Sequence, residues 1–346
     1  MAKKKKDEES KENQDFFDSA VVKKMQKDYG AEFAVPLSSI DDKERGVVKT
    51  FPSLDIALSG GLSMGQTVQI AGKPKTGKTT LAFGIAANFQ AENPDKKVFY
   101  YKVEGRLSSD LARGIPNLDL DRVVVVRSTI DHIMTGVEFL DSLEKNMRTF
   151  PESMHILDSV GGITGDGEMS NSMGDQQQGE LAKLLAKFCR RNAGVIDITN
   201  SLFLALNHVR VKQSRGPAGG GTISPGGNHW MHQIDTDILL SIAFPNPKIL
   251  SSDDVEIGHN LDVLVKTTTM GPPKQKAILP LVYGRGISRL MDVVNIAEQL
   301  SIIEKSGSWY NYGDKKWQGM NNLLTAVEED VELYGSIEKA VSEMIA

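Results

Sequence analysis

The chain has 346 residues, 40% hydrophobic and 25% charged, which excludes a mainly disordered or fibrous protein and allows one large domain with attachments, or two domains. Its 40 basic and 45 acidic side chains leave a net charge of −5, a balance that by itself does not point to nucleic acid. A single cysteine, Cys189, excludes an internal disulfide framework and a cysteine-only metal site, and no apolar run approaches the roughly 18 residues of a membrane helix.

Residues 1–14 mix lysines and acids with no apolar stretch behind them, so they read as a solvated disordered tail rather than a secretory signal. Over 15–29, Phe16, Phe17, Val21, Val22 and Met25 are spaced like one face of a helix, and Gly30 stands where a C-terminal cap belongs. Phe33 to Leu37 reads as a short extended piece. The arm 15–47 is too small to bury its own apolar face and is expected to pack on the core or on another chain. From 48 to 290, apolar or β-branched runs at 67–71, 98–103, 123–126, 154–158, 202–206, 237–243, 261–267 and 277–283 alternate with helical or Gly-rich stretches. This pattern argues for βαβ units in an α/β fold: a mostly parallel twisted sheet with flanking helices and an antiparallel extension. Residues 291–346 shift to helical spacing and read as a small C-terminal α+β domain.

Gly72-Lys73-Pro74-Lys75-Thr76-Gly77-Lys78-Thr79 fits GxxxxGK[ST], between an apolar strand and a helix pattern opening at Thr80. Glycines let backbone N–H groups turn toward a phosphate, Lys78 reaches the β- and γ-phosphates, and the Thr79 hydroxyl ligates Mg2+. A second Mg2+ anchor is expected at a strand end. Asp158 closes the run Met154-His155-Ile156-Leu157, although an acidic helix cap would look the same. Glu104 ends the run 98–103, where it is placed to orient or deprotonate a water, or is merely solvated.

The segment 53–65 leading into this loop resembles the entry to the ATPase core of the RecA recombinases. Similar agreement continues in Leu206-Asn207-His208-Val209-Arg210, in Gly226-Gly227-Asn228, in 281–287 and in Ile303 to Tyr310. The long connection between Gly174 and Asn207, and a histidine at 208, resemble the phage recombinases of T-even type more than the bacterial proteins. The resemblance implies an ATP-dependent recombinase with a RecA-like P-loop NTPase core. It would form a helical filament on single-stranded DNA, test it against duplex DNA and exchange strands, with ATP and Mg2+ held between neighbouring subunits. It implies Glu104 as catalytic glutamate beside Lys78, Asp158 as the Mg2+ aspartate with Thr79, and 72–80 with Tyr283 and Lys266 at the nucleotide. It gives His208 the part of γ-phosphate sensor, where the residue-level alternative is a satisfied core histidine. Because histidine changes charge between about pH 5 and 8, ATP–DNA coupling is expected to strengthen as pH falls.

Two DNA loops are implied. Residues 163–179 match the first, with Met173 and Gly174, where composition alone would allow an ordinary surface loop. Residues 211–228 match the second, with Lys212, Arg215, Ile223, Gly226, Gly227 and Asn228; composition alone would allow a Gly-rich linker. No acidic residue lies between Ile198 and Ile234, whereas Arg210, Lys212 and Arg215 supply 3 cations for phosphates. Three departures stand out. Ile223 is the one obvious residue to wedge between bases. No aromatic lies from Leu107 to Arg113, where the family stacks a tyrosine on adenine. The second of two lysines expected to cross the subunit interface is Thr268, leaving Lys266 with Lys274 or Lys276 as its substitute. The arm would dock on a neighbouring copy. Recombination mediator and single-strand-binding proteins would be partners, in the cytoplasm of a bacterial cell, with no membrane. A hexameric ring ATPase and a DNA-coating protein with a decayed ATPase are the alternatives. Residues 301–346 carry 4 basic and 8 acidic side chains, so the acidity sits in an end expected to repel duplex DNA.

Overall fold

The computed structural model describes residues 19–31, 33–35, 45–105, 109–164, 179–211, 222–245, 247–251 and 253–345, with backbone only at 210, 211, 222 and 223. Two units, Met1–Arg45 and Gly46–Ala346, are taken in turn. The first holds helix α1 (Ala20–Tyr29), which opens where the Ser19 hydroxyl accepts from the Val22 N–H and closes where the Gly30 N–H donates to Gln26 O. Residues 15–18 of the expected helix lie outside the described residues. Of the extended piece expected over 33–37, residues 36–37 lie outside the described residues, and 33–35 are not a strand. The chain bends back so that the Phe33 ring stacks on Tyr29 at 4.5 Å and Gln26 Nε2 donates to Ala34 O at 2.8 Å. Local ring stacking outweighs extension there. Val21, Met25, Tyr29 and Phe33 remain exposed.

The second unit begins with β1 (Val47–Val48), α2 (Pro52–Leu58), β2 (Leu62–Ser63), β3 (Thr67–Gly72), α3 (Lys78–Glu92), β4 (Val98–Lys102), α4 (Ser109–Arg113), β5 (Val123–Arg127), α5 (Gly136–Thr149) and β6 (Met154–Asp158). It continues with α6 (Glu180–Ile198), β7 (Leu202–His208), β8 (Arg210–Val211), β9 (Thr222–Ile223), α7 (Gly227–Gln233), β10 (Thr236–Ile242), β11 (Lys248–Leu250), β12 (Glu256–Thr267), β13 (Gln275–Val282) and β14 (Gly286–Ile287). Among the described residues the main sheet has ten strands in the order β14-β13-β12-β10-β3-β7-β6-β4-β5, with β11 beside β12. From β10 to β5 neighbouring strands are parallel, and from β10 to β14 they are antiparallel.

Parallel strands covered on both faces read as continuous apolar runs, because neither face can hold solvated side chains. β3 and the first four residues of β6 are buried throughout. One face packs on α2 and α3, through Leu54, Leu58, Phe83 and Phe89. The other packs on α5, α6 and α7, through Phe139, Leu143, Phe188 and Trp230. α3 is apolar nearly all round because it lies inside the first of these layers. β5 ends the sheet with Val124 and Val125 exposed. The C-terminal segment holds α8 (Arg289–Gln299), a three-stranded sheet of β15 (Glu304–Ser306), β16 (Trp309–Tyr312) and β17 (Lys315–Gln318), then α9 (Met320–Glu329) and α10 (Val331–Ile345). Val293, Ile303, Leu323, Ile337 and Val341 form its own apolar core. Among the described residues no helix is long and apolar enough to cross a membrane.

Candidate functional site

β3 delivers its last residue, Gly72, into the Gly-rich turn that opens α3. The approach there is so close that a Cβ on Gly72 would stand 2.6 Å from Thr76 Oγ1 and 2.9 Å from Leu240 O. Glycine is therefore required by packing. Thr76 is buried, and its hydroxyl closes the turn by donating to Lys73 O at 2.8 Å. Lys73, Pro74 and Lys75 form the exposed crest, while Gly77 caps α3 and Thr80 is buried in its first turn. The Lys78 side chain curls back over the turn, and its Nζ donates to Gly72 O at 3.2 Å and Lys73 O at 2.9 Å. Burial lowers the Lys78 pKa, and the nearby carboxylates of Asp158 and Glu104 work in the opposite direction. An ammonium held by backbone carbonyls inside an arc of N–H groups suits a polyphosphate.

Three neighbouring parallel strands bring the remaining groups to the same end of the sheet. In register, Gly72 on β3 lies beside His208 on β7, and Asp158 on β6 beside Lys102 on β4. Asp158 Oδ2 accepts from Thr79 Oγ1 and from Tyr100 Oη, both at 2.8 Å. The carbonyl of Asp158 also accepts from the N–H groups of Val103 and Glu104, fixing how β4 ends. Glu104 Oε1 accepts from the Ser159 hydroxyl and lies 3.2 Å from His208 Nε2. Lys78, Thr79, Asp158, Glu104 and His208 are thus linked through their immediate neighbours. Burial and the Asp158 carboxylate drive the Tyr100 phenol far above its ordinary range, so its hydroxyl stays protonated and able to donate.

Other expected residues stand elsewhere. Lys266 Nζ is paired inside its own chain with Asp237 Oδ2 at 3.0 Å. Thr268 Oγ1 accepts from Thr236 at 3.4 Å. Tyr283 is exposed, its hydroxyl donating to Glu256 Oε1 at 3.1 Å with His259 Nδ1 at 3.2 Å. Met173, Gly174, Lys212 and Arg215 lie outside the described residues. The backbones of Arg210 and Ile223 face each other in the β8–β9 pair. Gly226 and Gly227 lead into α7, and Asn228 is exposed. A cavity of about 370 Å³ lies away from the phosphate loop, between core residues such as Phe51 and Asn88 and C-terminal residues such as Arg289 and Leu324.

Sequence reasoning passed over Tyr100, Ser159 and Gln69. The signal for Tyr100 and Gln69 was a polar group inside an apolar strand run, which needs a buried partner. Nothing local marks Ser159, whose contact with Glu104 depends on two strands meeting.

Residues 17–288 match the RecA N-terminal domain family, and residues 291–346 match the RecA C-terminal domain family. Protein RecA of Acinetobacter baylyi is 30% identical over 295 residues, covering 85% of this chain and 81% of that protein. Protein RecA of Thioalkalivibrio sulfidiphilus is 31% identical over 295 residues, with 84% and 82% covered. Protein RecA of Phytoplasma mali is 26% identical over 323 residues, with 92% of each chain covered. Loop, strand order and both domain matches agree, and the chain belongs to the RecA family of ATP-dependent DNA recombinases.

Proposed function

We propose that this chain binds ATP and Mg2+ at the turn 72–80, hydrolyses ATP in response to DNA, and works as a helical filament on single-stranded DNA that pairs and exchanges strands with duplex DNA. The reading rests above all on the convergence of Lys78, the Thr79–Asp158 pair and the Glu104–His208 pair at the carboxyl ends of adjacent strands. Thr79 and Asp158 offer two oxygens 2.8 Å apart, a donor set that fits Mg2+. When bound, that ion neutralises phosphate charge. Lys78 would exchange the loop carbonyls for phosphate oxygens. Glu104, held by Ser159 and His208, would orient the attacking water and accept its proton, a role commonly contributing about 10²–10⁴-fold. His208 would report the phosphates to the chain that follows β7.

Arg210, Lys212, Arg215 and the glycines of 211–228 would grip the DNA backbone, with Ile223 as wedge and Met173 and Gly174 in a first loop. The exposed α1 face and the sheet edge at β5 support docking of the arm on a second copy. Lys266 would then leave Asp237 for the neighbour's nucleotide, and Tyr283 would line its base side. His208 and the long 174–207 connection favour the phage branch, acting in a bacterial cytoplasm with mediator and single-strand-binding partners. The test is ATP hydrolysis with and without single-stranded DNA, imaged in parallel. DNA-stimulated turnover and filaments are expected. Closed rings, or no hydrolysis, would refute the reading.

A further inference from the structure

Gln69 is fully buried in β3, three residues before the phosphate loop, on a strand that is otherwise apolar except for Thr67. Its amide is held on both sides. Nε2 donates to Asp237 Oδ1 at 2.9 Å, while Oε1 accepts from Asn207 Nδ2 and from the Trp230 indole Nε1, each at 2.9 Å. Asn207 Nδ2 donates again to Pro225 O at 2.9 Å, and Asp237 Oδ2 carries Lys266 on its far side. One glutamine side chain therefore holds Trp230 directly and Pro225 through Asn207, on either side of Gly226 and Gly227.

That junction leaves no room for a side chain at Gly226. Gly226 has φ 124°, and a Cβ there would lie 2.7 Å from the Trp230 ring. Gly226 thus packs directly against the Trp230 ring, whose indole N–H is held by Gln69. Asn207, next to His208 in sequence, leaves its Oδ1 buried with no partner among the described residues. The network is thus incompletely satisfied here, and a second arrangement could pair that oxygen.

We infer that Gln69 is a positioning residue that couples occupancy of the phosphate loop to the position of the junction Pro225–Gly227. The inference deepens the DNA reading of 211–228 and rests on it. A shift of β3 or His208 on phosphate binding reaches the junction through Gln69 and Asn207, and DNA binding acts back along the same bonds.

The test measures single-stranded DNA affinity of the full chain with and without a non-hydrolysable ATP analogue. Gln69→Met keeps shape and removes every amide bond. Trp230→Phe removes the indole donor together with part of a fully buried ring, leaves Gln69 in place, and carries the test if Gln69→Met fails to fold. The expected result is a fall of at least about fivefold in the affinity gain caused by nucleotide, with nucleotide-free DNA affinity and analogue affinity each within about twofold of wild type. A second readout needs no turnover. With Trp309 and Trp317 changed to Phe, the analogue should shift Trp230 emission, and Gln69→Met should abolish that shift. If wild type gains DNA affinity from nucleotide and both folded variants gain it equally, the inference alone fails. Equal losses in both nucleotide states also overturn it, because that is a merely structural role. If wild-type DNA affinity ignores nucleotide, the DNA reading falls and this inference with it.

Discussion

Asp292 joins the C-terminal segment to the ATPase core, and its charge makes that joint sensitive to pH. The carboxyl is fully buried in the first turn of α8, and its Oδ2 accepts from the Ser53 N–H at 3.0 Å. Ser53 lies in the first turn of α2, whose N-cap residue Phe51 supplies no side-chain acceptor, so Asp292 caps α2 from 239 positions away. Oδ1 has no partner among the described residues. Burial pushes the carboxyl from 3.8 up to about 6, outweighing the bonds from Ser53 and the nearby Arg289, with Asp55 adding to the rise. Between those values the folded chain holds a proton that the unfolded chain has released. Stability from this group is complete below about pH 4 and is lost as pH rises through about 6, by about 3 kcal/mol in all. Asp292→Asn keeps an oxygen for Ser53 and cannot ionise. At pH 7 it should be more stable than wild type by up to about 3 kcal/mol, less ~0.3–1 kcal/mol for a charge lost at a helix start. The advantage should shrink to nothing near pH 4. Urea midpoints of both proteins across this range measure it. A difference that stays constant with pH would refute the reasoning.

Other changes probe the site itself. Tyr100→Phe keeps the ring against Phe83, 5.1 Å away, but takes one donor from Asp158. The Mg2+ concentration that half-saturates nucleotide binding should rise about tenfold, for about 1.4 kcal/mol of a bond to a charged group, and an unchanged titration would count against Tyr100 as a positioning group. Gly72→Ala should lower nucleotide affinity at least about tenfold, since its Cβ meets the Leu240 carbonyl and overpacking costs about 1–3 kcal/mol; calorimetric titration with wild-type affinity would contradict this. Removing 321–346 would delete Leu323, Ile337 and Val341 and uncover Val293 and Ile303, which share their core, so the acidic end is better tested by charge. Glu329→Gln with Glu332→Gln should raise duplex DNA affinity at ~0.05 M salt and lose that gain at ~1 M, where screening is short-ranged.

The sheet was legible because its central strands are covered on both faces. The expected run 154–158 is β6, and 67–71 needed only Gly72 to complete β3. β12 begins at Glu256, ahead of the expected 261, because a half-exposed antiparallel strand alternates polar residues such as His259 and Asp262 with apolar ones. The phosphate loop, Asp158 and Glu104 were readable as strand-end features. What surrounds them was not. Ser159 on Glu104, Tyr100 on Asp158 and Gln69 under Trp230 are pairings between segments distant in sequence, and only the tertiary fold brings them together. The bend at Phe33 was missed for the opposite reason, since a local ring contact with Tyr29 overrides a run that looks extended.

The central claim is that Glu104, beside the phosphate loop, drives ATP hydrolysis under DNA control. Steady-state hydrolysis by wild type and by Glu104→Gln, each with and without single-stranded DNA, tests it most directly when nucleotide binding is measured on the same samples. Wild type should be stimulated by DNA, while the variant should bind ATP yet turn it over about 10²–10⁴-fold more slowly in both conditions. A variant that hydrolyses ATP at the wild-type rate, or a wild type indifferent to DNA, would contradict the account.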